Sequence, residues 1–180
     1  MTIDDGENGD GDDEKMVAAV DRIERLFDGR RYAEVVELCT VLLAELPAEF
    51  RLYYHRAQAK MLGGDRRGAI DDLTSAINQN PAEPTLFYFR GLWSLDEGNQ
   101  LSAANDFQGA IDAETKLGTS YYVESARFSR AVALLFIGDF QQAELECAQV
   151  RADLKTYVGG RQWSVNDILG YAGRRQRPQS

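Results

Sequence analysis

Residues 50–114 read FRLYYHRAQAKMLGGDRRGAIDDLTSAINQNPAEPTLFYFRGLWSLDEGNQLSAANDFQGAIDAE, and the second half of this stretch repeats the first. Shifted by 34 residues, Ala57 falls on Gly91, Gly64 on Gly98, Ala69 on Ala103, Leu73 on Phe107, Ala76 on Ala110 and Ile77 on Ile111. Arg56 falls on Arg90 and Asp72 on Asp106. Small residues recur where two helices must approach closely, and large apolar residues recur where the space between them must be filled. A period of this length with this spacing is the mark of a two-helix repeat. Gly63-Gly64-Asp65 and Gly98-Asn99 supply the left-handed residues that close the first helix of each pair. Pro81 and Pro84 bracket the join between the two repeats.

The alternation small, small, large, small, proline, held here by Ala57, Ala69, Leu73, Ala76 and Pro81, resembles the tetratricopeptide repeat family. The resemblance implies an all-α right-handed superhelix of about four helix pairs with a C-terminal capping helix. It also implies a non-catalytic protein-interaction module, an adaptor or chaperone-like protein, that holds a peptide or helix in a concave groove.

Outward from this stretch, residues 16–47 form a first, degenerate repeat. Arg22, Gly29 and Pro47 precede Arg56, Gly63 and Pro81 by one period, while Val35 and Leu42 stand where the family has small residues. The clear repeats cover 50–81 and 84–115. A fourth unit, about 120–155, is displaced by six extra residues around Lys116–Ser120, which either form a loop or lengthen its first helix. A helix from about Ser120 is expected, with the second helix of that unit ending near Gly159-Gly160. The repeat domain thus spans 16–158. Trp163-Ser164-Val165-Asn166-Asp167-Ile168 reads as a helix start, with Ser164 and Asp167 as a capping box and Trp163 stapled on Ile168. A capping helix over 163–174, with Val165, Ile168, Leu169 and Ala172 as its apolar stripe, would cover the last repeat. A basic tail, 175–180, follows.

Residues 1–15 carry seven acids, three glycines and one lysine, a composition that predicts disorder. The tail either binds a basic partner or keeps the chain in solution. The net charge of −9 argues against nucleic acid as the main partner. No apolar run is long enough to span a membrane. Met1-Thr2-Ile3-Asp4-Asp5 lacks the basic and apolar regions of a secretory leader, and a cytoplasmic location is expected. Cys39 and Cys147 lie on apolar helix faces and read as buried free thiols.

Arginine recurs at one position as Arg22, Arg56, Arg90 and Arg130, and an acid follows on the second helix as Asp72, Asp106 and Glu146. The resemblance implies ion pairs inside each repeat, Arg56–Asp72, Arg90–Asp106 and Arg130–Glu146. A row of arginines for an anionic ligand is the alternative. The first repeat has Leu38 at the acid's place, so Arg22 needs another partner, with Glu37 the candidate.

His55 is the single histidine, and no His/Cys cluster or nucleophile motif surrounds it; neither catalysis, a metal nor a cofactor is expected. Gly63-Gly64 lacks the Lys-Ser/Thr of a phosphate-binding loop. The family's two-carboxylate clamp for chaperone tails does not fit either. Its places hold Val20, Glu24, His55, Thr85 and Phe89 in one register, and Tyr54, Gln58, Phe89, Ser125 and Ser129 in the other. By resemblance, the first helices turn Arg51, Tyr54, His55, Gln58, Met61 and Leu62 toward the groove in the second repeat. The matching residues are Thr85, Tyr88, Phe89, Leu92, Leu95 and Asp96 in the third, and Ser125, Phe128, Ser129, Val132, Leu135 and Phe136 in the fourth. The groove is then centred on Tyr54, His55, Gln58, Tyr88, Phe89, Leu92, Phe128 and Val132, an aromatic and nearly uncharged surface suited to an amphipathic helix or extended apolar peptide. The alternatives are that the segment Trp163–Tyr171 covers these side chains, that apolar faces pair two copies as a homo-oligomer, or that a small ligand is bound.

Overall fold

The computed structural model describes residues 9–158 and 160–175, with side chains from Lys15 onward. Among the described residues, nine helices and one hairpin follow in chain order: α1 Gly9–Asp28, α2 Tyr32–Glu45, α3 Phe50–Leu62, α4 Arg66–Gln79, α5 Pro84–Asp96, α6 Gln100–Leu117, α7 Val123–Ile137, α8 Phe140–Cys147, β1 Lys155–Val158, β2 Arg161–Ser164 and α9 Val165–Arg175. The fold is the expected all-α array of helix pairs with a two-stranded addition. Two compact units divide at Ala69/Ile70, inside α4.

In the first unit, Ile23, Val35, Cys39 and Leu52 are fully buried, with Met16, Leu26, Leu43 and Ala59 around them. The acidic run does not stop the helix where the composition predicts. Once Met16 and Ala19 are buried, lengthening an existing helix costs far less than starting one, and α1 reaches back to Gly9. The expected disorder of residues 1–8 and the tail beyond Arg175 lie outside the described residues. Asp65 caps α4, accepting the Gly68 N–H at 3.0 Å.

The second unit is built on the tight contact of α5 with α6. Phe107 is fully buried, and a Cβ on Gly91 would lie 2.9 Å from its ring. Glu83 caps α5 by accepting the Thr85 N–H at 3.1 Å, and Pro84 occupies the first turn, where its missing N–H is harmless. Gly98 and Gly138 follow α5 and α7 with φ of +80° and +86°.

The extra residues before the fourth pair lengthen α6 by a turn and then form a loop, so α7 begins at Val123 rather than Ser120. Glu114 accounts for this. Its carboxylate, 1% exposed, accepts the backbone N–H groups of Tyr121 at 2.7 Å and Tyr122 at 2.9 Å. These bonds tie the residues just before α7 to α6 and satisfy N–H groups that have no acceptor within a helix start.

The expected second helix of this unit, running to Gly159-Gly160, is cut short at Cys147. The chain is pulled back to the start of α7, where Glu124 accepts the Arg151 backbone N–H at 2.7 Å and its guanidinium at 3.0 Å. Lys155–Val158 then pairs antiparallel with Arg161–Ser164, with Val158 opposite Arg161 and Lys155 opposite Ser164. Trp163 therefore lies in a strand. Its ring is buried edge-on to Phe136 at 5.4 Å, and the Arg161 guanidinium covers it at 4.3 Å. The capping box forms as expected: the Asp167 N–H donates to Ser164 Oγ at 3.2 Å, and the Ser164 N–H to Asp167 Oδ2 at 2.9 Å. Val165, Ile168 and Ala172 face the core, whereas Leu169 is 40% exposed.

The arginine–acid pairs hold first helix to second. Arg90 grips Asp106 in a fork, Nε to Oδ2 at 3.0 Å and Nη2 to Oδ1 at 2.6 Å, against burial that pushes the carboxyl pKa up. Arg130 pairs with Glu146 as expected, and Arg127, an unforeseen partner, donates to the same carboxylate at 3.0 Å. A threonine also recurs at the repeat period. Thr40 accepts from Arg56 at 3.1 Å and Thr74 from Arg90 at 3.1 Å. Arg56 is half-buried and Asp72 buried. Arg22 is exposed, and among the described residues no ion pair joins it to Glu37. Both cysteines are buried, and neither forms a disulfide among the described residues. Burial first, then Glu146 and Glu144, pushes the Cys147 thiol up to about 11, which leaves it protonated and inert.

Two outcomes follow from this packing. Gly91→Val is expected to destabilise the fold by about 1–3 kcal/mol, because the Phe107 ring has no room to retreat; an unchanged denaturant midpoint would show that the α5–α6 contact is loose. Glu146→Ala is expected to cost about 3 kcal/mol, since it strips two largely buried arginines of their counter-charge. Glu34→Ala, which breaks an exposed pair with Arg31, should leave the midpoint nearly unchanged in the same denaturation series.

Candidate functional site

The first helix of each pair carries the groove positions, and the two units present them differently. In the first unit this face is open. A cleft of about 340 Å³ lies between α1 and α3, lined by Met16, Val17, Val20, Asp21 and Arg51. Val17 is 65% exposed and Met16 supplies the buried floor. Arg51 is held by Glu49 in a fork of 2.8 and 2.9 Å, and Glu49 also caps α3 through the Arg51 N–H. This pairing holds the Glu49 carboxyl below its ordinary range.

Tyr54, His55 and Gln58 follow Arg51 on α3, all half-buried, and are not among the residues that line this cleft. Gln58 Nε2 donates to the Tyr54 hydroxyl at 3.0 Å, which fixes the ring. His55 packs at 5.7 Å from Tyr54, and its Nδ1 is buried without a hydrogen-bond partner. Burial pushes the imidazole pKa down, and Arg51 adds to this, while Gln58, Glu24 and Glu49 pull the other way. His55 is accordingly neutral at neutral pH.

In the second unit the equivalent face is occupied by the chain itself. Phe128 and Val132, expected in an open groove, are 1% and 0% exposed. Leu154, Lys155 and Thr156 lie across Tyr88, Ser125, Phe128 and Ser129, leaving a cavity of only about 70 Å³. The start of the hairpin covers Phe128, and within the expected covering segment Trp163–Tyr171 the Trp163 ring packs on Phe136; Val158 and Trp163 are buried in the core. Tyr88, Phe89 and Leu92 stay half-exposed. Tyr88 stacks on Tyr122 at 4.6 Å, and Tyr121, 83% exposed, stands edge-on to Tyr122 at 4.7 Å. Burial raises the Tyr88 phenol pKa against its bond with Ser125.

Val17 and Asp21 are the cleft residues that sequence reasoning passed over. The repeat period carries Arg51 back to Val17, Tyr54 to Val20 and His55 to Asp21, so the signal was present in the same alignment. Among the described residues no group of three His, Cys, Asp or Glu could hold a metal ion. No helix among them is long and apolar enough to cross a membrane.

Two crystal structures of MamA match with TM-scores of 0.66 and 0.63, at 14% and 13% identity, over 76% and 71% of this chain and 71% of each MamA chain. The P58(IPK) TPR domain matches with a TM-score of 0.55 at 18% identity, over 75% of this chain and 40% of that one. No protein-family model and no curated protein sequence matches the chain.

The depressed pKa of His55 makes the fold pH-dependent in a stated direction. The unfolded chain takes up a proton on this imidazole more readily than the folded one. Stability from keeping it neutral is therefore complete above the ordinary histidine value of about 6.5 and is lost as pH falls below it. His55→Gln should flatten the fall in urea midpoint between about pH 7 and pH 5; an unaltered profile would show that His55 titrates normally.

Proposed function

We propose that this chain, which has the tetratricopeptide-type repeat fold, is a non-catalytic protein-interaction module that holds a peptide segment on the first-helix face of its first unit. The role is that of an adaptor or chaperone-like protein acting in the cytoplasm. The observation that carries the reading is the contrast between the units. One first-helix face is covered by a segment of the chain's own backbone, and the other is an open apolar cleft between α1 and the α3 helix that carries Tyr54, His55 and Gln58. A face that accommodates an extended segment in one place is built to accommodate one in the other. Met16, Val17 and Val20 supply apolar area, and Tyr54, fixed by Gln58, supplies the pre-oriented aromatic anchor on which binding energy concentrates. Within the second unit, Tyr88, Phe89 and Leu92 stay half-exposed, whereas Phe128 and Val132 belong to the core. The repeat pairs Arg56–Asp72, Arg90–Asp106 and Arg130–Glu146 are structural in this reading.

Peptides selected from a random display library on the intact chain are expected to weaken at least about fivefold on Val20→Asp and on Tyr54→Ala. They should bind unchanged to Leu101→Asp, a substitution on exposed α6. Circular dichroism confirms that each variant is folded. Selected peptides indifferent to both cleft substitutions would place the binding surface elsewhere.

A further inference from the structure

The hairpin that covers the second unit also indicates what chemistry fits the open cleft of the first. Three repeats before Ser125, Phe128 and Ser129, the same first-helix positions are held by Val17, Val20 and Asp21. These two triplets line the covered cavity and the open cleft respectively. The segment that closes the covered cavity is Leu154-Lys155-Thr156, a half-buried apolar residue followed at once by an exposed lysine, entering a β-strand. In the first unit Phe128 is matched by Val20, which keeps the floor apolar but makes it wider. Ser129, 1% exposed, is matched by Asp21, an exposed carboxylate.

The charges at the cleft are acidic in sum. Arg51 and Glu49 neutralise one another in their fork. Asp21 and Glu24 lie one turn apart on α1, both exposed, and neither has an ion-pair partner among the described residues. Arg25 reaches only the Asp21 backbone carbonyl, at 3.0 Å.

We infer that the first-unit cleft recognises an extended segment in which an apolar residue is followed immediately by lysine or arginine. The apolar side chain fills the space over Val17 and Val20, and the cation meets Asp21 and Glu24. This inference rests on the groove reading above and adds the partner's chemistry to it.

Two synthetic peptides test it on the full-length chain at low salt. One has the sequence of residues 152–158, ADLKTYV, and the other replaces its lysine by glutamate. Binding is read by fluorescence anisotropy. The lysine peptide should bind better than the glutamate peptide, and Asp21→Lys should weaken it by roughly threefold to tenfold, the size of an exposed ion pair and its reversal. The same variant should bind the glutamate peptide better than the native chain does. Val20→Asp should abolish capture of both. Failure of the lysine peptide to bind, or equal binding of the two to the native chain, overturns the inference. If display-selected peptides still depend on Val20 and Tyr54 in that case, the groove reading survives without it. Concentration-dependent dimerisation abolished by Val20→Asp would instead seat a second copy in the cleft and overturn the peptide assignment.

Discussion

The close approach of the two helices within a repeat is the constraint on which the rest depends. It is tightest where the Phe107 ring rests on the bare Cα of Gly91, a separation that admits no side chain. At that point α5 and α6 leave no room for a side chain, and the buried arginine–carboxylate fork bridges the same pair of helices. A large ring needs a small partner, and the repeat supplies both at fixed spacing. Ala57 and Ala131 hold the equivalent place elsewhere and are fully buried. Packing density in such an interior leaves little tolerance for added volume.

The arginine row is explained by the same helix pairs. Arg90 spends its fork on Asp106 and a further N–H on Thr74; Arg130 shares Glu146 with Arg127. Guanidinium groups whose charge is already met by a buried carboxylate have little net attraction left for an anionic ligand. Buried pairs of this kind contribute little net stability, because desolvation offsets attraction. What they do supply is a penalty for misalignment: shifting one helix by a turn leaves a carboxylate and a cation buried apart.

Much of this was legible in the residues. The period, the Gly64, Gly98 and Gly138 turns, the proline at the start of α5 and the Ser164–Asp167 box are local signals, each set by a few neighbouring residues. The hairpin was the main feature missed. Thr156-Tyr157-Val158-Gly159-Gly160 carries a β-prone run and a two-residue glycine turn, a strong hairpin signal, but the repeat period assigned the same residues to a helix. The long-range bond from Arg151 to Glu124 decides between them, and no local pattern announces it. Phe128 was misplaced for a related reason. Its position on the first-helix face was read correctly; what covers that face is a segment brought back from later in the chain.

The covered and open faces also differ in the competition a partner meets. The hairpin is tethered to α8 by a short connection, and a short tether holds a segment near its site at an effective concentration on the order of millimolar. Val158 and Trp163, both buried, add anchoring that a free peptide would have to replace. A partner approaching Phe128 and Ser129 must therefore exceed an intramolecular competitor that is already docked. The cleft over Val17 and Val20 has no such competitor among the described residues, and its Asp21 carboxylate departs from the serine that the covered face carries. Apolar floor, open access and uncompensated negative charge coincide there. An external segment thus gains most, and displaces least, on the first unit.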